Sequence, residues 1–270
     1  MNNIKAKKKI RKKLIILYSL IVLINIGLVV VFYKSTSPKK TSTESIVEEV
    51  VQDTESDENN NSTPDLKEIY KKNKEVNEDY VGQIYFDSEL IDLPFVQGLT
   101  NNTYMRTDWQ TMQYDVGGSI FLDASNDIEN DQNTVIYGHN FAASIDSSIT
   151  KMFSPLRALM KKDNYEQNKN INLFLGDKLL RYEVIYVYRV KVIEEDNIQY
   201  LADGEPYYDT LNFSKNEFND YINKVKDREY YSTGKSIEYE DKMLTLQTCI
   251  DDTVDKLVVI AKQISNSSVN

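Results

Sequence analysis

The sequence predicts a mainly β domain, a closed or nearly closed barrel of eight short strands with few helices. Two observations carry that prediction. Runs rich in β-branched and aromatic residues recur through the chain after residue 81, and helical periodicity is confined to a few short stretches. Eight strands with so few helices are best accommodated by a sheet that closes on itself.

The strand candidates are 83–86, 94–97, 119–122, 134–137, 171–175, 179–193, 243–249 and 257–264. The long run 179–193 alternates, so Tyr182, Val184, Tyr186, Tyr188, Val190 and Val192 are expected on one face. A helix is predicted over 64–80, where Leu66, Ile69, Tyr70, Val76 and Tyr80 roughly share a face and Pro64 sits near the start. A second is predicted from Ser154 as N-cap with Pro155 at the first helical position. A third begins at Ser214, where Glu217 completes a capping box and Phe213 and Phe218 are spaced for a hydrophobic staple. Phe218, Tyr221, Ile222 and Val225 form its apolar face.

The part before the barrel is of a different kind. Residues 1–13 hold seven basic side chains and no acid, and 14–33 form an uncharged apolar run of twenty residues. That length suits a bilayer-crossing helix, and the basic flank is expected to stay in the cytoplasm. A cleaved signal peptide would have a shorter apolar core and a small-residue cleavage site, which VVVFYKS does not offer. Residues 34–63 are polar and acidic, too poor in apolar side chains to fold, and read as an extracellular stalk. The folded domain is expected over 64–270.

Charge and cysteine usage exclude several function classes. Setting aside the seven basic residues of 1–13 leaves 25 of the 32, against 42 acidic residues. So acidic a body lacks the footprint of a nucleic-acid binder. One Cys and one His cannot build an internal disulfide, nor a zinc site from Cys and His alone. No EF-hand spacing occurs, and neither a metal nor a cofactor is expected.

Cys249 ends a strand-like run and His139 lies just past another, at a Gly-containing turn. A lone Cys in a strand is usually structural. Outside a membrane, however, an odd Cys is either paired with another chain or reactive. A nucleophilic Cys needs a partner near neutral pH, and His is the usual one. The chain offers a single candidate for each role.

Two segments bring a known family into view. Thr245-Leu-Gln-Thr-Cys249 resembles the TLxTC motif of the sortases of Gram-positive bacteria, and Tyr137-Gly-His-Asn140 resembles their His motif. Leu93-Pro-Phe-Val-Gln97, Gly118-Ser-Ile-Phe-Leu-Asp123 and the helix of 214–226 are similar to segments of the class B branch. The resemblance covers roughly 66–265. It implies an eight-stranded barrel with an N-terminal helix and a helix inserted before the Cys strand.

It also implies a transpeptidation. Cys249 attacks a C-terminal sorting motif of a secreted protein, and the thioester is resolved by an amine on a lipid-linked peptidoglycan precursor. His139 is the implied acid and base. The family's Arg, near the oxyanion, falls at Lys256, which keeps the charge but not the planar fork. Arg189 is a second candidate for that charge. Substrate contacts are carried over to Asn101 and Met105, and by adjacency to Leu246, Gln247 and Thr248, of which alternation must turn at least one into the barrel. Asp251 or Asp252 could orient the His. Two other readings share these residues: a peptidase that hydrolyses its thioester, and a degenerate relative that only binds sorting peptides.

Overall fold

The computed structural model describes residues 66–141, 152–196, 198–250 and 254–269. The basic segment 1–13, the apolar run 14–33, the stalk 34–63 and the pair Asp251 and Asp252 lie outside the described residues. Among the described residues no helix is long and apolar enough to cross a membrane.

Eight strands close into a barrel. In chain order they are β1 (Tyr80–Phe86), β2 (Asp92–Val96), β3 (Ile120–Leu122), β4 (Asn133–Tyr137), β5 (Asn170–Phe174), β6 (Lys178–Val190), β9 (Met243–Cys249) and β10 (Lys256–Ser268). Around the barrel the order is β1-β2-β3-β4-β9-β10-β6-β5. Two neighbours are parallel, β2 with β3 and β4 with β9, and the rest are antiparallel. Pro94 lies in β2 opposite Gln83 of β1, outside the part of the strand that pairs with β3.

The predicted strand over 179–193 is interrupted. β6 ends at Val190, and Val192–Glu195 (β7) pairs instead with Ile198–Leu201 (β8) in a separate two-stranded ribbon. The expected single face of β6 is also corrected. Its partners on β10 skip from Tyr186 to Val184, leaving Ile185 as a bulged extra residue. One extra residue exchanges the two faces of a strand. Leu180, Tyr182 and Val184 therefore enter the barrel interior, whereas Tyr186, Tyr188 and Val190 turn outward into a second core.

That second core is covered by α3 (Lys215–Lys226), which presents Phe218, Tyr221, Ile222 and Val225. Its start is as predicted. Ser214 N donates to Glu217 Oε2 at 2.8 Å, Glu217 N donates to Ser214 Oγ, and Phe213 meets Phe218 edge to face. The N-terminal helix α1 (Leu66–Val76) is shorter than predicted. Leu66 and Val76 are exposed, and Tyr70 docks edge-on against Tyr80 and Phe174. Tyr80 itself opens β1.

The helix expected at Ser154 is a 3-10 segment, Ser154–Met160, and Ser154 is not its cap. Phe153 holds that position without a side-chain cap. Ser154 Oγ accepts instead from the Phe141 N–H at 2.9 Å. A one-turn helix, α2 (Tyr165–Asn168), follows before β5.

Candidate active site

The parallel pairing of β4 with β9 builds the site. The register runs Asn133 opposite Met243 through to Tyr137 opposite Gln247. Continued by two residues, it sets His139 beside Cys249. Two hydrogen bonds carry the alignment past the ends of the strands: Gly138 N donates to Gln247 O at 3.1 Å, and Asn140 Nδ2 donates to Cys249 O at 2.9 Å. On the other side, β10 pairs Lys256 directly opposite Cys249. The backbone thus places Cys249 between His139 and Lys256.

The His side is held by the core. Phe153 is fully buried, and its N–H donates to His139 O at 3.0 Å. A Cβ on Gly138 would stand 2.8 Å from the Phe153 ring, so the glycine of the Tyr-Gly-His segment is what lets the chain pass. The His139 ring is half-buried, and its Nε2–H donates to the Met105 carbonyl at 2.8 Å. Burial pushes the imidazole below its ordinary value of 6.5, the Met105 hydrogen bond opposes this, and the charges of Arg106 and Lys256 add to it.

On the other side, Lys256 Nζ lies 3.3 Å from Cys249 Sγ and also donates to Gln199 Oε1 at 3.0 Å. Asp255, next to Lys256, accepts from Arg189 Nε at 2.6 Å and from Val192 N at 2.8 Å. Arg189 is thereby committed to Asp255 and leaves the cationic position to Lys256. Burial would raise the Asp255 carboxyl, but Val192 N–H and Arg189 outweigh it and hold the group low.

The other sequence-predicted residues divide. Along β9, Leu246 and Thr248 turn into the barrel interior and are buried, so their side chains do not line the surface beside the thiol. Gln247 shares the face of Cys249. Met105 reaches the site through its carbonyl, while its side chain is partly exposed. Asn101 is consumed internally: Nδ2 donates to Asp123 Oδ2 at 2.7 Å, and Oδ1 accepts from Ala124 N at 2.7 Å.

Three neighbours were given no role from the sequence. Asn140 could have been found, since it closes the Tyr-Gly-His-Asn segment. Gln199 could not, because its ribbon was hidden in a predicted strand and loop. Tyr208, packed against the second core, is the third. Burial first, then Asp209 and Cys249, push its hydroxyl up to about 12. Beside Cys249 runs a groove of about 670 Å³, lined among others by Leu90, Pro155, Met160 and Leu257, with Arg157 and Lys161 also on its wall.

A Cys and a His at neighbouring strand ends, with an ammonium against the sulfur, can form and resolve an acyl thioester, which is the chemistry of a cysteine transpeptidase. The sortase domain family model matches residues 87–264, and the chain belongs to the sortase family. Sortase B of Listeria monocytogenes is 31% identical over 187 residues, 68% of this chain and 67% of the relative. Sortase B of Staphylococcus aureus is 27% identical over 198 residues, 72% of this chain and 74% of the relative. The X-ray structure of Clostridium perfringens sortase B superposes with a TM-score of 0.59 at 27% identity, covering 72% of this chain and 99% of that one. The protein is a class B sortase transpeptidase, an enzyme of cell-wall anchoring.

Proposed function

We propose that Cys249 is the nucleophile, His139 the proton carrier and Lys256 the cation that meets the developing oxyanion. The carrying observation is the backbone register that sets His139 and Lys256 on either side of Cys249, with Nζ 3.3 Å from Sγ. The thiolate adds to the carbonyl carbon of the scissile bond, and Lys256 donates to the oxygen while it is negative. The carbon–nitrogen bond then breaks, His139 gives its proton to the leaving amine, and a thioester remains. An incoming amine adds to the thioester, His139 takes its proton, and Sγ departs as a new amide forms.

The substrates in this reading are secreted proteins bearing a C-terminal sorting motif, and the acceptor is the amine of a lipid-linked peptidoglycan precursor. The apolar run 14–33 anchors the chain, with 1–13 in the cytoplasm and the domain outside, spaced from the membrane by 34–63. The twenty-residue length of that run and its basic flank support this topology.

The test is the full chain against a library of fluorogenic sorting peptides, with and without an amine. Wild type should cleave at least one motif and form an amide product that grows with amine, and Cys249→Ala should cleave none. Binding without cleavage across the library would refute the assignment.

A further inference from the structure

Backbone pairing fixes where Lys256 starts but not where its ammonium points. The four-carbon stem is flexible, and the head is a point charge with three rotatable donors. A guanidinium would carry its direction in its own planar fork. The lysine must obtain that direction from a neighbour.

Gln199 is so placed. Its Oε1 accepts from Lys256 Nζ at 3.0 Å, and its Nε2 donates to Glu194 Oε2 at 3.0 Å. The second bond sets which end of the amide faces the lysine. Glu194 and Gln199 are directly opposed across the β7–β8 ribbon, so the pairing of the ribbon aligns them. The ribbon is tied to the strand of the lysine at its root, where Val192 N donates to Asp255 Oδ1 at 2.8 Å. Leu201, directly opposite Val192 at the same root, packs against the second core. The opposite face, Ile193, Ile198 and Tyr200, is exposed.

We propose that Gln199 is a positioning residue for the transfer reaction and that the β7–β8 ribbon exists in this chain to orient Lys256. The inference rests on the reading of Lys256 given above. Of the three ammonium donors, one points to the sulfur and one is held by Gln199. The third is left for the oxygen that turns negative when sulfur adds to the carbonyl. Gln199 is neutral, so it directs the ammonium without quenching its charge.

The test is a double-mutant cycle in the full chain, read by cleavage of the peptide that the wild type cuts fastest and by iodoacetamide. Cys249 is the only cysteine, so alkylation reports on it alone. Gln199→Ala should lower kcat roughly tenfold, the order expected for a lost hydrogen bond to a charged group, with KM and Tm unchanged. It should also slow alkylation at neutral pH. In a Lys256→Arg background the same change should cost less than about twofold, because the fork orients itself. Wild-type kcat in Gln199→Ala, with activity lost in Lys256→Met, would overturn the role of the ribbon and leave Lys256 standing. Full activity in Lys256→Met would remove both. An equal loss in the lysine and arginine backgrounds, or a fall in Tm, would mark Gln199 as structural and overturn the inference.

Discussion

The two flanks of Cys249 are built by different means. On one, His139 is fixed by elements of the barrel: a parallel register, a glycine pressed against buried Phe153, and the Asn140 carboxamide on the Cys249 carbonyl. On the other, Lys256 has an equally fixed backbone, but its charge is steered by an exposed two-stranded ribbon outside the barrel. The difference teaches that the barrel determines where Cys249 and His139 sit, while the direction of the Lys256 ammonium is a separate construction. One flank should therefore fail by misfolding and the other by losing rate.

The largest effect is expected on the cationic flank. Lys256→Met should lower kcat of peptide cleavage by roughly a hundredfold or more, the order seen when one oxyanion donor is removed, with little change in Tm. A mutant that keeps its rate would break the comparison by making the cation dispensable. Next comes the His flank. Gly138→Ala pushes a methyl into the Phe153 ring and should cost about 1–3 kcal/mol of stability, read by denaturant unfolding. An unchanged midpoint would mean that the core does not hold His139 as described.

The smallest effect couples the two flanks. The positive charge of Lys256 helps to depress the His139 imidazole, so Lys256→Met should move its titration upward. The chain has one His, so a single imidazole resonance followed by NMR against pH reports it. The sign also fixes a stability trend. A folded imidazole that binds its proton less well than the unfolded one makes stability rise with pH between the depressed value and 6.5. That rise should shrink in the mutant, and a downward shift of the resonance would contradict the arrangement.

The same division explains what could be read from the chain. Most barrel strands were legible to within a few residues because their β-branched runs are half or wholly buried. The cap of α3 was legible because Ser214, Glu217, Phe213 and Phe218 act within one turn. Cys249 and His139 stood out as the single members of their types, and motif residues on strands carry their position with them. The bulge at Ile185 was not legible, since no residue type demands it and it depends on how β6 and β10 are staggered. Leu246 and Thr248 carried the right address on the wrong side, because a motif names residues and only the pleat decides which way each side chain turns, while Asn101, in a turn, spends its carboxamide on Asp123 and Ala124. Gln199 was invisible because its role exists only once the ribbon folds back on Lys256.

The most direct measurement of the central claim is intact-mass spectrometry of the full chain mixed with a cleaved sorting peptide and no amine. An acyl adduct confined to Cys249, absent in Cys249→Ala, should form and then disappear into an amide product when amine is added. An adduct on another residue, or amide product formed by Cys249→Ala, would contradict the claim.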